Sequence, residues 1–209
     1  MRHTPGEIKS DPGFVFLDEL RYDDIVEFAS KYIRKRTRSM NFFYISLLGM
    51  FLLLCGALVF GMIRHNREFG SIMKQYLYGL IISFSVIIPI HEMIHGLIYF
   101  LLGARKIRFG AEFKQFAFYA VADEFVTTKG GFYLLAAGPF LIISLLNLAG
   151  FIFVSGVASY TYIAIIFFHA TMCVGDFALM SYYDTHRDKD LYSFDDIKNK
   201  ISYFYYKKK

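Results

Sequence analysis

The sequence predicts an all-α polytopic membrane protein, with about four transmembrane helices and a re-entrant or β-hairpin segment between helices 2 and 3. Three observations predict it. Of 209 residues, 56% are hydrophobic, 24 are Phe and 16 are Tyr, and the mean hydropathy is +0.39. The charged residues are segregated from long apolar runs, which a soluble domain of this size rarely shows. The Lys and Arg residues are distributed unequally between the two sides that four spans would create.

Residues 1–40 read as a cytosolic N-terminal region. Asp11-Pro12-Gly13 is a turn signal, and the weakly amphipathic stretch Leu17 to Ile33 predicts a helix with Ile25, Phe28 and Tyr32 on one face. Lys31, Arg34, Lys35, Arg36 and Arg38 follow as a juxtamembrane basic cluster, the composition that contacts anionic lipid. No early apolar core marks a cleaved leader, so the first apolar run reads as an uncleaved anchor. That run, Phe42 to Ile63, has 22 residues without a charge and is long enough to span a bilayer.

A second run extends from about Ile72 to Ala104, and its only ionisable groups past Lys74 are His91, Glu92 and His95. Residues 105–129 mix charge with Phe, Tyr and Ala. The alternation of Ile107, Phe109, Ala111 and Phe113 suggests strands, with an interfacial amphipathic segment as the alternative. From Gly130 to Tyr183 the only charge is Asp176, which leaves room for spans at about 131–154 and 159–182. Together these four spans make residues 41–183 the transmembrane domain, and 184–209 a polar cytosolic tail. Both termini then share a side with the 105–129 loop, and that side carries 20 of the 23 Lys and Arg residues. The positive-inside rule places both termini in the cytosol of a multi-pass cell-membrane protein. The net charge of +5 therefore speaks of orientation, and nucleic acid is not an expected partner. Cys55 and Cys173 lack the spacing of a zinc-binding pair and read as small buried apolar residues.

Within the second run, His91-Glu92-Met93-Ile94-His95 spells H-E-x-x-H. On a helix, positions i and i+4 share a face, so both imidazoles can grip one Zn2+ with Glu92 beside it as general base. Ionisable groups inside a membrane are costly and mark functional sites. A catalytic zinc takes three protein ligands and keeps a fourth position for water. His91 lies ~26 Å from the outer end of its helix, and Asp176 lies at nearly the same depth in the fourth span. Depth therefore favours Asp176 as the third ligand. Asp123 and Glu124 are rival carboxylates in the 105–129 loop. On a straight helix His169 falls ~10 Å nearer the outer face, as an outer-shell group, a substrate contact or a satisfied core histidine.

These residues carry a resemblance. The chain resembles the site-2-protease-like intramembrane zinc metalloproteases and, more narrowly, the small bacterial zincin-like peptidases. His91 to Gly96 is similar to their catalytic helix, Ala137-Gly138-Pro139 to their small-Gly-Pro element, and Gly175-Asp176 to the segment with the acidic ligand. The approach Cys173-Val174-Gly175-Asp176-Phe177 departs from the Asn-Pro…Leu-Asp-Gly pattern of the site-2 proteases. The resemblance implies zinc on His91, His95 and Asp176, Glu92 as catalytic base, and outer roles for Gly138 and Pro139. It implies cleavage of transmembrane or membrane-adjacent peptides, with membrane lipid as the surrounding partner. Two other classes use the same residues: a non-catalytic metal-binding scaffold or regulator, and a metal or ion transporter.

Overall fold

The computed structural model describes residues 3–64, 68–112 and 117–208. Residues 65–67, with Arg67, and 113–116, with Phe113, lie outside the described residues. The elements run α1 (Pro5–Ser10), β1 (Phe14–Arg21), α2 (Ile25–Ile33), α3 (Arg38–Arg64), α4 (Phe69–Ile82), α5 (Ile88–Leu102), β2 (Ile107–Glu112), β3 (Ala117–Ala122), β4 (Thr127–Thr128), α6 (Lys129–Phe153), α7 (Ser159–Met172), α8 (Val174–Thr185), β5 (Asp190–Asp196) and β6 (Ile201–Lys207). The chain is therefore mixed α/β, and the all-α expectation is corrected. The described residues form two antiparallel sheets, one of four strands in the order β1-β6-β5-β4 and one of two, β2-β3.

Among the described residues, three helices are long and apolar enough to cross a membrane: Arg38–Ile63, Phe69–Leu102 and Lys129–Phe153. The pair Ser159–Met172 and Val174–Thr185, interrupted at Cys173, adds a fourth if taken as one span. The chain divides into two compact units. One comprises Met1–Met40, Glu92–Gly138 and Gly175–Lys209; the other comprises Asn41–His91 and Pro139–Val174.

In the first unit, the regions expected as a polar N-terminal segment and a tail are strands of one sheet. Phe14–Arg21 pairs with Ile201–Lys207, and the register shifts between Phe16 and Asp18. Part of the helix expected over Leu17 to Ile33 is thus strand, and the helical part is a 3-10 turn at Tyr22–Asp24 followed by the α-helix Ile25–Ile33. One set of sheet side chains, Leu20, Leu191 and Phe204, packs with Tyr32 of α2 and with Ala178, Tyr182 and Tyr183 of α8. A second set, Phe14 and Phe194, packs with Ile8 of α1. Local chemistry starts α1: Pro5 occupies its first turn, and Thr4 and Glu7 close a reciprocal capping box. Asp184, near the end of α8, accepts from the Ser39 amide at 2.7 Å and from the Tyr133 hydroxyl at 2.5 Å. It thereby places a carboxylate on the amide-rich start of α3. Lys129, at the start of α6, donates to the carbonyl of Arg187 just past α8 at 3.0 Å.

In the same unit, β2 and β3 form a hairpin in continuous register from Ile107↔Ala122 to Glu112↔Ala117. It leans on α5 at a glycine: a Cβ on Gly96 would sit 2.6 Å from Phe109 Cζ. The absent side chain at this H-E-x-x-H-G position is what lets the hairpin aromatic approach the helix.

The second unit is helical, and α7 is its core. Tyr160, Ile163 and Ala164 of α7 pack with Leu54 and Ala57 of α3 and with Ile72 and Tyr76 of α4. A Cβ on Gly79 would meet Ala164 Cβ at 2.5 Å and the Thr161 carbonyl oxygen at 2.8 Å. A small residue is therefore required for α4 to reach α7, the usual basis of close helix packing in lipid. Thr161 Oγ1 donates to Gln75 Oε1 at 2.6 Å, and Tyr76 Oη donates to the Leu54 carbonyl at 2.6 Å. The side chains left exposed on α3, such as Ile45, Leu52, Phe60 and Ile63, are apolar. That pattern suits contact with lipid rather than water.

Candidate metal centre

The helix bearing H-E-x-x-H is shaped before the motif begins. Between α4 and α5, Ser83–Ile87 winds as a π-turn, directly ahead of Pro89. Such wide turns cluster at functional sites. The hydroxyls of Ser83 and Ser85 each donate to a carbonyl four residues back, Gly79 and Ile81, at 2.7 Å. From there α5 has two unlike faces. His91, His95, Ile98 and Tyr99 are buried, whereas Met93, Leu97 and Leu101 are exposed. Each of the side chains of His91, Glu92 and His95 offers a ligand atom within 4.8 Å of the others'. Glu92 is half-buried.

His95 is held at both nitrogens. Its Nδ1 lies 3.1 Å from the Leu135 carbonyl of α6. A carbonyl only accepts, so Nδ1 carries a proton, and in the neutral ring Nε2 keeps the lone pair. That Nε2 lies 3.4 Å from Asp176 Oδ1. Ligands of a tetrahedral zinc, at about 2.0–2.2 Å from the ion, stand about 3.3–3.5 Å from each other. The imidazole and carboxylate therefore sit as two corners of such a site would. Asp176 occupies the first turn of α8, where the helix end favours an anion.

The Leu135 carbonyl is available for a local reason. In a regular helix it would accept from the amide of residue 139, but that residue is Pro139, inside α6, and it has no N–H. Gly138 is buried beside it, and a Cβ there would collide with Ile98 Cδ1 of α5. The Gly-Pro pair thus allows α6 to approach α5 and frees the carbonyl that orients His95. Replacing Pro139 by Ala restores a competing amide. We expect zinc affinity to fall about tenfold, the scale of losing an outer-shell partner, while thermal stability without metal holds or rises. Competition with a chelator and a melting curve test the pair of signs. Unchanged affinity would remove Pro139 from the site.

His91 meets a different set of neighbours. Its Nδ1 lies 3.0 Å from His169 Nε2. Cys173 Sγ is 3.5 Å from that same His169 nitrogen and 3.9 Å from His91 Nδ1. All three side chains are buried. The straight-helix estimate set His169 well away from the depth of His91. The estimate assumed a uniform rise from Lys74 to His91, which the π-turn Ser83–Ile87 breaks; the interruption at Cys173 comes after His169 and affects only the count on to Asp176.

The rival carboxylates are engaged elsewhere. Asp123 Oδ1 accepts from the Ile197 amide at 3.3 Å. Glu124 lies in a turn with φ 54°, donates its amide to the Asp195 carbonyl and pairs with Lys106 at 3.6 Å. Sequence reasoning missed Leu135, because a backbone carbonyl leaves no mark in a side-chain pattern. It also missed Cys173, for which the His169-x-x-x-Cys173 spacing was the available signal.

Residues 84–187, just under half of the chain, match the model of a family described as "Putative zincin peptidase". The matched stretch contains the H-E-x-x-H helix, the Gly-Pro pair and Asp176, and it supports a zinc peptidase class. Comparisons with curated proteins and with solved structures gave no match.

Proposed function

We propose that the chain is a zinc-dependent intramembrane endopeptidase, related in mechanism to the site-2 proteases. It lies in the cell membrane as a multi-pass protein with both termini cytosolic. Its substrates are transmembrane or membrane-adjacent peptides. The observation that carries this reading is the double hold on His95: Nδ1 lies 3.1 Å from the Leu135 carbonyl, and Nε2 lies 3.4 Å from Asp176 Oδ1. The donor set of two imidazoles and one carboxylate fits a hydrolytic zinc.

His91, His95 and Asp176 would hold the ion, which would supply Lewis-acid polarisation of the scissile carbonyl and of the attacking water. Glu92 takes that water's proton and passes it to the leaving amine. Burial of both histidines excludes bulk water from their faces. An extended substrate adds to the free edge of the β2-β3 hairpin by main-chain pairing. Through Phe109 on Gly96, that edge is anchored one residue past His95.

Protein purified in detergent is expected to hold at least about one zinc per chain and to cleave a transmembrane reporter peptide. A zinc chelator should stop cleavage, and added zinc should restore it. Bound zinc without hydrolysis would replace this reading with a scaffold. Zinc flux into liposomes would replace it with a transporter.

A further inference from the structure

We propose that His91 Nδ1, His169 Nε2 and Cys173 Sγ form a second metal site, for a thiophilic ion such as Zn2+ or Cd2+. Three separations define it: 3.0 Å between the imidazole nitrogens, 3.5 Å from Sγ to His169, and 3.9 Å from Sγ to His91. Around a tetrahedral zinc, with bonds of about 2.0–2.1 Å to nitrogen and 2.3 Å to sulfur, the edges would be about 3.3–3.4 Å and 3.5–3.6 Å. The observed triangle needs shifts of only a few tenths of an ångström to match. All three donors are buried, and their ligand atoms gather within 4.8 Å of one another.

The donor chemistry selects the ion. Two imidazoles and a thiolate, with no oxygen ligand, suit Zn2+, Cd2+ or Cu+ and not Mg2+ or Ca2+. Placement supports a polar task as well. His169 sits on α7, whose buried residues Ile163, Ala164, Ile165, Ile166 and Ala170 are apolar. Cys173 sits where the backbone turns out of that helix. On binding, the thiol loses its proton to solvent and its sulfur becomes a thiolate ligand. The ion also replaces the His91–His169 hydrogen bond; its proton moves to the other nitrogen of its ring or, when His91 also holds the hydrolytic zinc, is lost to solvent as His91 becomes a bridging imidazolate. The site shares His91 with the proposed hydrolytic centre but uses none of Glu92, His95 or Asp176. It can therefore stand or fall separately from that reading.

Cobalt(II), a spectroscopic stand-in for zinc, tests the site in the full-length reduced protein. A thiolate ligand gives a near-ultraviolet sulfur-to-cobalt charge-transfer band. We expect this band in the wild type, in Cys55→Ser and in Asp176→Ala, and its loss in Cys173→Ser. Absence of the band from the wild type, or its survival in Cys173→Ser, would overturn the site. A second measurement avoids the Cys173 variant altogether. In Cys55→Ser, zinc should slow alkylation of the remaining thiol by at least about tenfold, because a metal-bound sulfur is withdrawn as nucleophile. Alkylation indifferent to zinc would equally overturn it.

Discussion

Replacing Glu92 by Gln is expected to abolish peptide cleavage while leaving zinc content at the wild-type value. Gln keeps the size of the side chain and its hydrogen-bonding reach, but it cannot take a proton. A positioned general base contributes about 10²–10⁴-fold, so a loss of at least two orders of magnitude in single-turnover cleavage is expected. Equal zinc content separates this from a collapsed site, because Glu92 acts beside the ligands rather than as one of them. Retained cleavage would sink the proposed mechanism whatever the metal content. The contrast with His91→Ala is informative: that variant should lose metal and activity together.

Removing the proposed third ligand is the other large effect. Asp176→Ala is expected to lose zinc from the H-E-x-x-H site, and with it all cleavage. Loss of even an outer-shell partner costs about 10–100-fold in affinity, and a direct ligand should cost more. The measurement belongs in a Cys173→Ser background, so that metal held through the thiolate does not mask the loss. Zinc retained at full affinity there would remove Asp176 from the ligand set. The 3.4 Å approach of Asp176 to His95 would then be an ion pair. Because Asp176 lies at the start of α8, its loss also deprives that helix end of a favourable charge, worth about 0.3–1 kcal/mol. The variant should still fold.

The sequence revealed what depends on side-chain type at short range. Apolar runs of membrane length marked the three long apolar helices within a few residues, because they need no more than consecutive Leu, Ile and Phe to be seen. The metal spacing was visible because His and Glu are rare in such runs. The four-stranded sheet was hidden by the strands themselves. In β6, Tyr203 and Tyr205 pack on one set of neighbours and Phe204 and Tyr206 on another, so no period of two survives. In β1 the register shift after Phe16 interrupts the alternation. Charges in Asp190–Asp196 then made β5 look like a solvated tail. His169 was misplaced because a uniform rise was assumed from Lys74 to His91, through a segment that winds as a π-turn. Pro139 was recognised as part of a motif, but its effect runs through a missing amide and a carbonyl, and only the positions of α5 and α6 disclose it.

The pairing of β1 with β6 joins residues 180–193 positions apart in the chain, and this sets an order of assembly. During synthesis β1 is made before the long apolar helices and β6 after them. At roughly 5–20 residues per second, β1 waits on the order of 10–40 s for β6. All the long apolar helices are made in that interval. The four-stranded sheet therefore closes only after they have been made. Until then Phe14 and Leu20 have no β6 beside them, so the nascent chain carries apolar strand side chains in need of cover ahead of its apolar helices.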